Sequence, residues 1–140
     1  MATPAKDPIT CHVLDTLTGS PAAGIIVTLR CLNKPASNAL FSATTNADGR
    51  ITNWGTVSGY VDGTAIKDDD DTTVQKVLDS ISEKIEREVW TLRFDTGDYY
   101  GHDKTFWPAV ELMFYVKTKG EHYHVPLLLG PYSYTTYRGS

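Results

Sequence analysis

The fold is decided near the carboxyl end of the chain, in the stretch His122-Tyr-His-Val-Pro-Leu-Leu-Leu-Gly-Pro-Tyr-Ser-Tyr-Thr-Thr-Tyr-Arg-Gly-Ser140. Two runs rich in Leu, Tyr and Thr meet at Gly130-Pro131, a turn signal because glycine tolerates positive φ and proline fixes its own φ. The stretch therefore predicts a terminal β-hairpin. Strand side chains alternate, so His122 and His124 share one face. We expect His124 to point away from the opposite, aliphatic face, which carries Tyr123, Val125, Leu127 and Leu129.

The last four residues place a cation, hydroxyl groups and a free α-carboxylate close together, in Tyr137-Arg138-Gly139-Ser140. Chain termini are most often solvated and inert. From these residues alone, that interpretation stays open beside a functional one.

The length and composition are those of a single soluble domain. At 140 residues we expect a single domain over 1–140, with residues 1–8 as a flexible N-terminus. Apolar residues make up 41%, and the net charge is -4, which is typical of a soluble globular protein and disfavours nucleic acid as partner. A membrane is not expected as partner either, because no apolar run approaches the ~20 residues of a membrane span.

Two further features concern the cellular compartment. The first eight residues lack the hydrophobic stretch of a secretory signal, so an intracellular protein is expected, cytoplasmic or peroxisomal and not secreted. Cys11 and Cys31 are expected to be reduced core thiols, because two cysteines are too few for a disulfide framework.

Alternation of apolar and polar residues predicts five strands before the hairpin. They cover Ile9–Leu14, Ile25–Leu32, Ala39–Thr45, Trp90–Phe94 and Val110–Val116. The stretches Gly55–Gly63 and Thr96–Lys104 are expected to be loops. About seven to eight strands joined by short turns favour an all-β antiparallel sandwich with one short helix.

That helix is predicted over residues 72–87, where apolar residues recur at helical spacing over roughly three turns. They are Val74, Val77, Leu78, Ile81 and Ile85. The acidic run Asp68–Asp71 just before them is interpreted as a solvated cap, because it lacks the spacing of a calcium loop.

Three polar residues are candidates for chemistry, namely His12, Arg50 and His124. Histidine titrates near neutrality and can take the proton of an attacking water, while arginine can bind an anionic or carbonyl-rich substrate. Each residue alone is more often a solvated or structural side chain. A zinc site formed by His12, His122 and His124 is a further alternative, although no carboxylate or cysteine is obviously placed to complete it.

Four segments in the same order resemble the transthyretin-like 5-hydroxyisourate hydrolases. They are Ile9-Thr-Cys-His-Val-Leu-Asp15 with Gly19-Ser-Pro-Ala22, Asn46-Ala-Asp-Gly-Arg50, Tyr123-His-Val-Pro-Leu-Leu-Leu129, and Tyr132-Ser-Tyr-Thr-Thr-Tyr-Arg-Gly-Ser140. The terminal Tyr-Arg-Gly-Ser is the hallmark of that family.

The resemblance implies a small β-sandwich, assembled as a homotetramer from two dimers, that hydrolyses 5-hydroxyisourate to 2-oxo-4-hydroxy-4-carboxy-5-ureidoimidazoline in urate catabolism. It implies no cofactor and no metal. By position, the catalytic residues would be His12, Arg50, His124 and Ser140. The substrate-binding residues would be Tyr137, Arg138 and Gly139.

A small-ligand carrier without hydrolase activity is the main competing function. Carriers of this fold resemble the hydrolases along the sandwich but lack the two histidines, the arginine and the terminal tetrad, all of which this chain has. Two departures from the family pattern stand out: Gly130 replaces a usual serine, and the segment Gly63–Glu88 is longer than expected. We expect that segment to be a surface insertion, because long loops are tolerated thermodynamically.

Overall fold

A computed structural model describes residues 5–33, 39–61, 64–67, 72–81, 84–117 and 120–140. The described strands, in chain order, are β1 (Ile9–Asp15), β2 (Ser20–Pro21), β3 (Ile26–Cys31), β4 (Leu40–Thr44), β5 (Arg50–Ile51), β6 (Gly55–Val61), β7 (Thr64–Lys67), β8 (Arg87–Phe94), β9 (Val110–Lys117), β10 (Tyr123–Leu129) and β11 (Tyr134–Thr136). The described helices are α1 (Val74–Ser80), α2 (Thr96–Tyr100) and a 3-10 turn at His102–Lys104.

The strands form two sheets that enclose one hydrophobic core. One sheet has the order β11-β10-β1-β2 with β5 added against β1, and the other has the order β7-β6-β4-β3-β8-β9. The alternating apolar residues of both sheets point inward, and Val13, Trp90, Leu92 and Leu127 are fully buried. Burying one aliphatic side chain such as Val13 or Leu127 stabilises the fold by about 2 kcal/mol. The prediction of an all-β sandwich is confirmed.

The first sheet differs from the antiparallel prediction at its centre. Strands β1 and β10 pair in parallel, with Ile9 opposite Tyr123 and Asp15 opposite Leu129. A parallel pair needs a long connection, and here all six described strands of the second sheet lie between the two strands along the chain. Local sequence patterns do not reveal such a distant pairing. The terminal hairpin itself is confirmed, because β10 and β11 pair antiparallel.

Two predicted loops contain regular structure. Gly55–Val61 is strand β6, which pairs with β4 and β7 and has an irregular register between Val57 and Gly59. Glycine weakens a strand locally, but pairing on both sides outweighs that preference. The loop predicted over Thr96–Lys104 holds α2 and the 3-10 turn. Gly63 lies outside the described residues.

The predicted helix over 72–87 is too long, because α1 ends at Ser80 and Ile81 is extended. The chain must be extended again by Arg87, which already pairs with Lys117 in β8. Val74, Val77 and Leu78 are buried in the main core, so this part of the long segment is not a surface decoration. The acidic run Asp68–Asp71 lies outside the described residues. Among the described helices, none is both long and apolar enough to span a membrane.

Part of the predicted flexible N-terminus is held in place. The Ala5 carbonyl accepts a hydrogen bond from Asn53, and the Asp7 carboxylate accepts one from the Trp54 backbone at 2.7 Å. The chain is therefore fixed against residues 52–54 before β1 begins. The cysteines are as expected, since Cys11 and Cys31 are both free and buried.

A buried carboxylate ties β1 to α2. The Tyr99 hydroxyl donates to Asp15 Oδ2 at 2.8 Å, and the Tyr100 hydroxyl lies 2.8 Å from Asp15 Oδ1 and 3.0 Å from the Leu129 carbonyl. Burial alone would raise the pKa of Asp15, but these hydroxyls and the Leu17 and Thr18 backbone lower that pKa overall. The ionised carboxylate is therefore the form that stabilises the fold.

Replacing Tyr100 by phenylalanine should lower the free energy of unfolding by about 1–3 kcal/mol at neutral pH, because a buried charged acceptor loses a donor. The pKa of Asp15 is lowered in the folded state, so this difference should persist above about pH 4 and shrink as pH falls through the folded pKa. Urea unfolding of the wild-type protein and of Tyr100→Phe at several pH values measures this difference in free energy. Tyr132→Phe, at an exposed position, is the control. Equal losses in the two variants would contradict the role given to Asp15.

Candidate active site

The parallel pairing of β1 and β10 brings the two predicted histidines together. Thr10 of β1 is aligned with His124 of β10, and His12 follows two residues later on the same face of β1. The ring centroids of His12 and His124 are 6.4 Å apart, with the planes tilted by 30°. Both rings are partly buried. The predicted orientation of His124, away from the aliphatic face, is consistent with this contact.

A tight turn places Arg50 beside His12. Asn46 accepts backbone hydrogen bonds from Asp48 and Arg50 through Oδ1, and Gly49 adopts a φ of 72°. A Cβ at Gly49 would lie 2.4 Å from the Val13 carbonyl oxygen, so only glycine fits there. Arg50 then pairs with His12 in the short β5 ladder.

The end of the chain folds back over β10. The Gly139 backbone N–H donates to the His124 carbonyl at 2.8 Å, which forms an isolated β-bridge between these residues. A Cβ at Gly139 would come within 2.6 Å of the His124 ring and 3.0 Å of Pro126. Glycine therefore allows the tail to lie directly against the imidazole, and Ser140 reaches the same side.

A cavity of about 230 Å³ opens where these elements meet. Its lining residues are Lys6, Thr10, Cys11, Arg50, Thr52, His122, His124 and Ser140. They include two permanent cations and two histidines but no Asp or Glu side chain. Such a cavity is suited to an anionic or carbonyl-rich ligand.

Burial and nearby cations keep the histidines neutral. The pKa of His124 is lowered first by burial and then by Arg50, His12, His122 and Lys6. The pKa of His12 is also lowered by burial and by Arg50, although a hydrogen bond to the Asp48 backbone and the Asp48 charge oppose this. A neutral imidazole can accept a proton, so either ring can act as a general base near neutral pH.

The structure brings the predicted site residues together in two groups. Arg50, His124 and Ser140 line the 230 Å³ cavity, while His12 lies next to it and Gly139 packs on His124. Tyr137 and Arg138 line a separate cavity of about 430 Å³ instead, on which His124 also borders.

Arg138 has other partners on that side. Its guanidinium lies 3.7 Å from Glu121 and 4.9 Å from the centre of the Tyr123 ring. Within a single chain, Tyr137 and Arg138 thus face a different space from Arg50 and Ser140.

Sequence reasoning missed Thr10, Lys6 and Thr52 as lining residues. Thr10 is the most informative omission, because its Oγ1 lies 2.7 Å from His124 Nδ1 and 3.0 Å from His122 Nε2. The signal that could have found it is its position two residues before His12, on the same strand face. That signal becomes meaningful only once β1 is known to pair with β10.

A zinc site gains no support from the arrangement of ligands. In the part of the chain that the structure describes, no three His, Cys, Asp or Glu side chains are grouped closely enough to hold a metal ion. The rings of His122 and His124 instead share the Thr10 hydroxyl.

The fold and the histidine–arginine cavity define the class of protein as a transthyretin-like β-sandwich. The chain is similar to the 5-hydroxyisourate hydrolase of Klebsiella pneumoniae, with a TM-score of 0.59, 25% identity and coverage of 94% of this chain and 98% of that chain. It has the same fold as transthyretin from Sparus aurata, with a TM-score of 0.63, 23% identity and coverage of 94% and 96%.

The chain belongs to the HIUase/Transthyretin family, whose model matches residues 9–139. It is 40% identical to a probable 5-hydroxyisourate hydrolase of Schizosaccharomyces pombe, over 98% of this chain and 94% of that protein. It is 36% identical to the 5-hydroxyisourate hydrolase of Mus musculus over the full length of both. The resemblance of the four motifs to this family is confirmed.

Replacing Arg50 by alanine should raise the pKa of both His12 and His124, because each loses a neighbouring positive charge. Replacing Lys6 by alanine should raise the pKa of His124 more than that of His12, since Lys6 is among the charges that lower the pKa of His124. Titration of the imidazole C–H signals by NMR measures both values. Unchanged pKa values in Arg50→Ala would show that the guanidinium does not act on this site.

Proposed function

We propose that this protein is a 5-hydroxyisourate hydrolase, which opens the six-membered ring of its substrate with water to give 2-oxo-4-hydroxy-4-carboxy-5-ureidoimidazoline. The observation that carries the proposal is the meeting of Arg50, His124 and Ser140 around one basic cavity beside His12. These residues come from three separate motifs, and relatives of the chain along most of its length are named 5-hydroxyisourate hydrolases.

Hydrolysis of the ring requires a base and a stabilised oxyanion. A neutral histidine takes one proton from water as the water oxygen bonds to the ring carbonyl carbon. The ring C–N bond then breaks as the histidine returns a proton to the nitrogen, and the new carboxylic acid on the opened product loses the second proton of the water. His124 is suited to the role of base because its Nδ1 is held by Thr10, which leaves Nε2 for the water.

Electrostatic stabilisation would come from Arg50. Its permanent charge beside the two rings can bind the anionic substrate and the negative charge that develops on the carbonyl oxygen. Ser140 supplies a hydroxyl at the same cavity, and Gly139 fixes its position through a bond to the His124 carbonyl. Tyr137 and Arg138 remain proposed substrate-binding residues. They line the adjacent cavity, on which His124 also borders.

A small-ligand carrier is the second candidate function. Its fold would be the same, so only the polar residues of the cavity separate the two functions. The cavity here is small and basic, with two histidines, which suits chemistry on a polar ring better than binding of an apolar ligand.

The assay follows the ultraviolet decay of 5-hydroxyisourate, generated in place from urate and urate oxidase, with and without the protein. Wild-type protein should accelerate the decay, and Arg50→Ala should lower kcat/KM by about 100-fold or more, because oxyanion stabilisation is lost. Arg93→Ala, in an exposed ion pair on the other sheet, is the matched control and should keep the wild-type rate. Absence of acceleration by folded protein would favour the carrier.

We also propose that the protein assembles as a homotetramer, a dimer of dimers. One edge strand of each sheet, β9 in one and β11 in the other, borders the 430 Å³ cavity. Met113 and Tyr115 on β9 are 71% and 61% exposed, and Tyr137 after β11 is 58% exposed. Open edges that carry large apolar side chains are typical of subunit interfaces.

An intracellular location, cytoplasmic or peroxisomal, remains a prediction.

Light scattering coupled to gel filtration should give about four times the 15.5 kDa chain mass. Met113→Glu should shift the protein toward smaller species, because it places a charge on the proposed interface. Leu17→Glu should leave the mass unchanged, because Leu17 is similarly exposed, at 68%, but lies outside that cavity. A monomeric wild-type protein would contradict the assembly.

A further inference from the structure

The Thr10 hydroxyl joins two histidines that differ in exposure. Oγ1 of Thr10 lies 2.7 Å from Nδ1 of His124 and 3.0 Å from Nε2 of His122. Thr10 is only 2% exposed, His124 is partly buried and His122 is exposed. A continuous hydrogen-bonded path therefore leads from the proposed base, through a buried hydroxyl, to a side chain in contact with solvent.

A threonine hydroxyl carries one proton, which restricts the states of the two rings. When Thr10 donates to His122 Nε2, it can accept from His124 Nδ1–H, and Nε2 of a neutral His124 is then unprotonated. When Thr10 donates to His124 Nδ1 instead, Nε2 of neutral His124 carries the proton and cannot act as a base. The direction of this hydrogen-bonded chain thus decides which nitrogen of His124 is basic.

We propose that His124, Thr10 and His122 form a proton relay, in which Thr10 is a positioning residue that sets the tautomer of His124 and His122 exchanges the proton with solvent. The inference rests on the proposed hydrolase function and assigns the route by which the proton of the attacking water leaves the site.

The proton transfers balance along the relay. Nε2 of His124 takes a proton from the attacking water, and the Nδ1 proton of the same ring passes to Thr10 Oγ1. The original hydroxyl proton of Thr10 passes to Nε2 of His122. His124 ends neutral with its proton on Nε2, and His122 ends as an imidazolium that releases its extra proton to solvent. As the ring C–N bond breaks, His124 gives its Nε2 proton to the ring nitrogen, and its Nδ1 regains a proton from Thr10. Thr10 in turn regains one from His122 Nε2, and His122 takes one from solvent on Nδ1, which restores the starting tautomer.

Burial and neighbouring charges disfavour an imidazolium at His124. Burial is the largest cause of its lowered pKa, and Arg50, His12, His122 and Lys6 add to it. His122 is exposed and lines a second cavity with Lys6, Lys117 and Glu121, so its ring is open to proton exchange with solvent. Strand geometry maintains the path, because Thr10 and His124 are paired residues in β1 and β10.

Thr10→Val tests the positioning role, because valine keeps the shape of the side chain and removes the hydroxyl. We expect kcat to fall by about 10- to 100-fold, at or below the usual contribution of a positioned proton-transfer group, with KM near the wild-type value. Thr10→Ser should restore much of the lost rate. Thr91→Val is the control, because it makes the same substitution at a threonine of strand β8 in the other sheet, and it should keep the wild-type kcat.

His122→Gln tests the exit step. We expect a lower kcat, a displaced pH profile of kcat, and recovery of the rate with added imidazole buffer, which can accept the proton in place of His122. The same buffer should not rescue Thr10→Val, because the break there is buried. A wild-type kcat and pH profile in His122→Gln would overturn the relay.

The ¹⁵N chemical shifts of the imidazoles give a readout that does not depend on turnover. Wild-type protein should place the proton of neutral His124 mainly on Nδ1, and Thr10→Val should change that tautomer while Thr91→Val should not. The same His124 tautomer in wild type and Thr10→Val would overturn the positioning role. Should wild-type protein fail to accelerate substrate decay, the proposed function falls, and these shifts alone still decide whether Thr10 sets the tautomer.

Discussion

The parallel pairing of β1 with β10 is the interaction on which the rest of the molecule depends. It forms the centre of one sheet, holds Val13 and Leu127 in the core, and aligns Thr10 with His124 on the opposite face. Core packing fixes the register strongly, because a slip of one residue would move every apolar side chain out of the core. The same constraint therefore fixes the distance between the two histidine-bearing strands.

The site depends on a balance between burial and positive charge. Lys6 and Arg50 make the cavity attractive to an anion, and the same charges, with partial burial, keep His124 neutral. A carboxylate side chain in the lining would bind the arginine and raise the pKa of the histidine. A buried carboxylate is instead found away from the cavity, at Asp15, where two tyrosine hydroxyls stabilise the charge and join β1 to α2.

The sequence predicts the parts that local patterns encode. Alternation identifies β1, β3, β4, β8, β9 and the terminal hairpin, and the Asn46–Gly49 turn places Arg50 correctly after it. The parallel pairing was missed because it joins distant segments, and Thr10 was missed with it. Strand β6 was missed because its glycines resemble a loop, and α1 was predicted too long because Ile81 and Ile85 continue the helical spacing beyond the turn that leads into β8.

Site residues were predicted mainly through motifs rather than through geometry. The positions of Arg50, His124 and Ser140 agree with a shared cavity, whereas no local pattern could place Tyr137 and Arg138 on the other side of His124. The distinction arises because the tail crosses the edge of β10 at Gly139. To predict on which side of His124 each of these residues lies, one needs the path of the backbone as well as the motif.

The separation of β1 and β10 along the chain has a consequence for biosynthesis. Thr10 and His124 are 114 residues apart, so a ribosome releases β1 long before its central partner exists. The second sheet can form meanwhile from neighbouring segments, but the emerging β1 has one edge unpaired until β10 follows. Such contacts of high sequence separation form slowly and leave nascent strands open to aggregation. Strand β1 therefore lacks its central partner for as long as the 114 residues up to His124 take to be made.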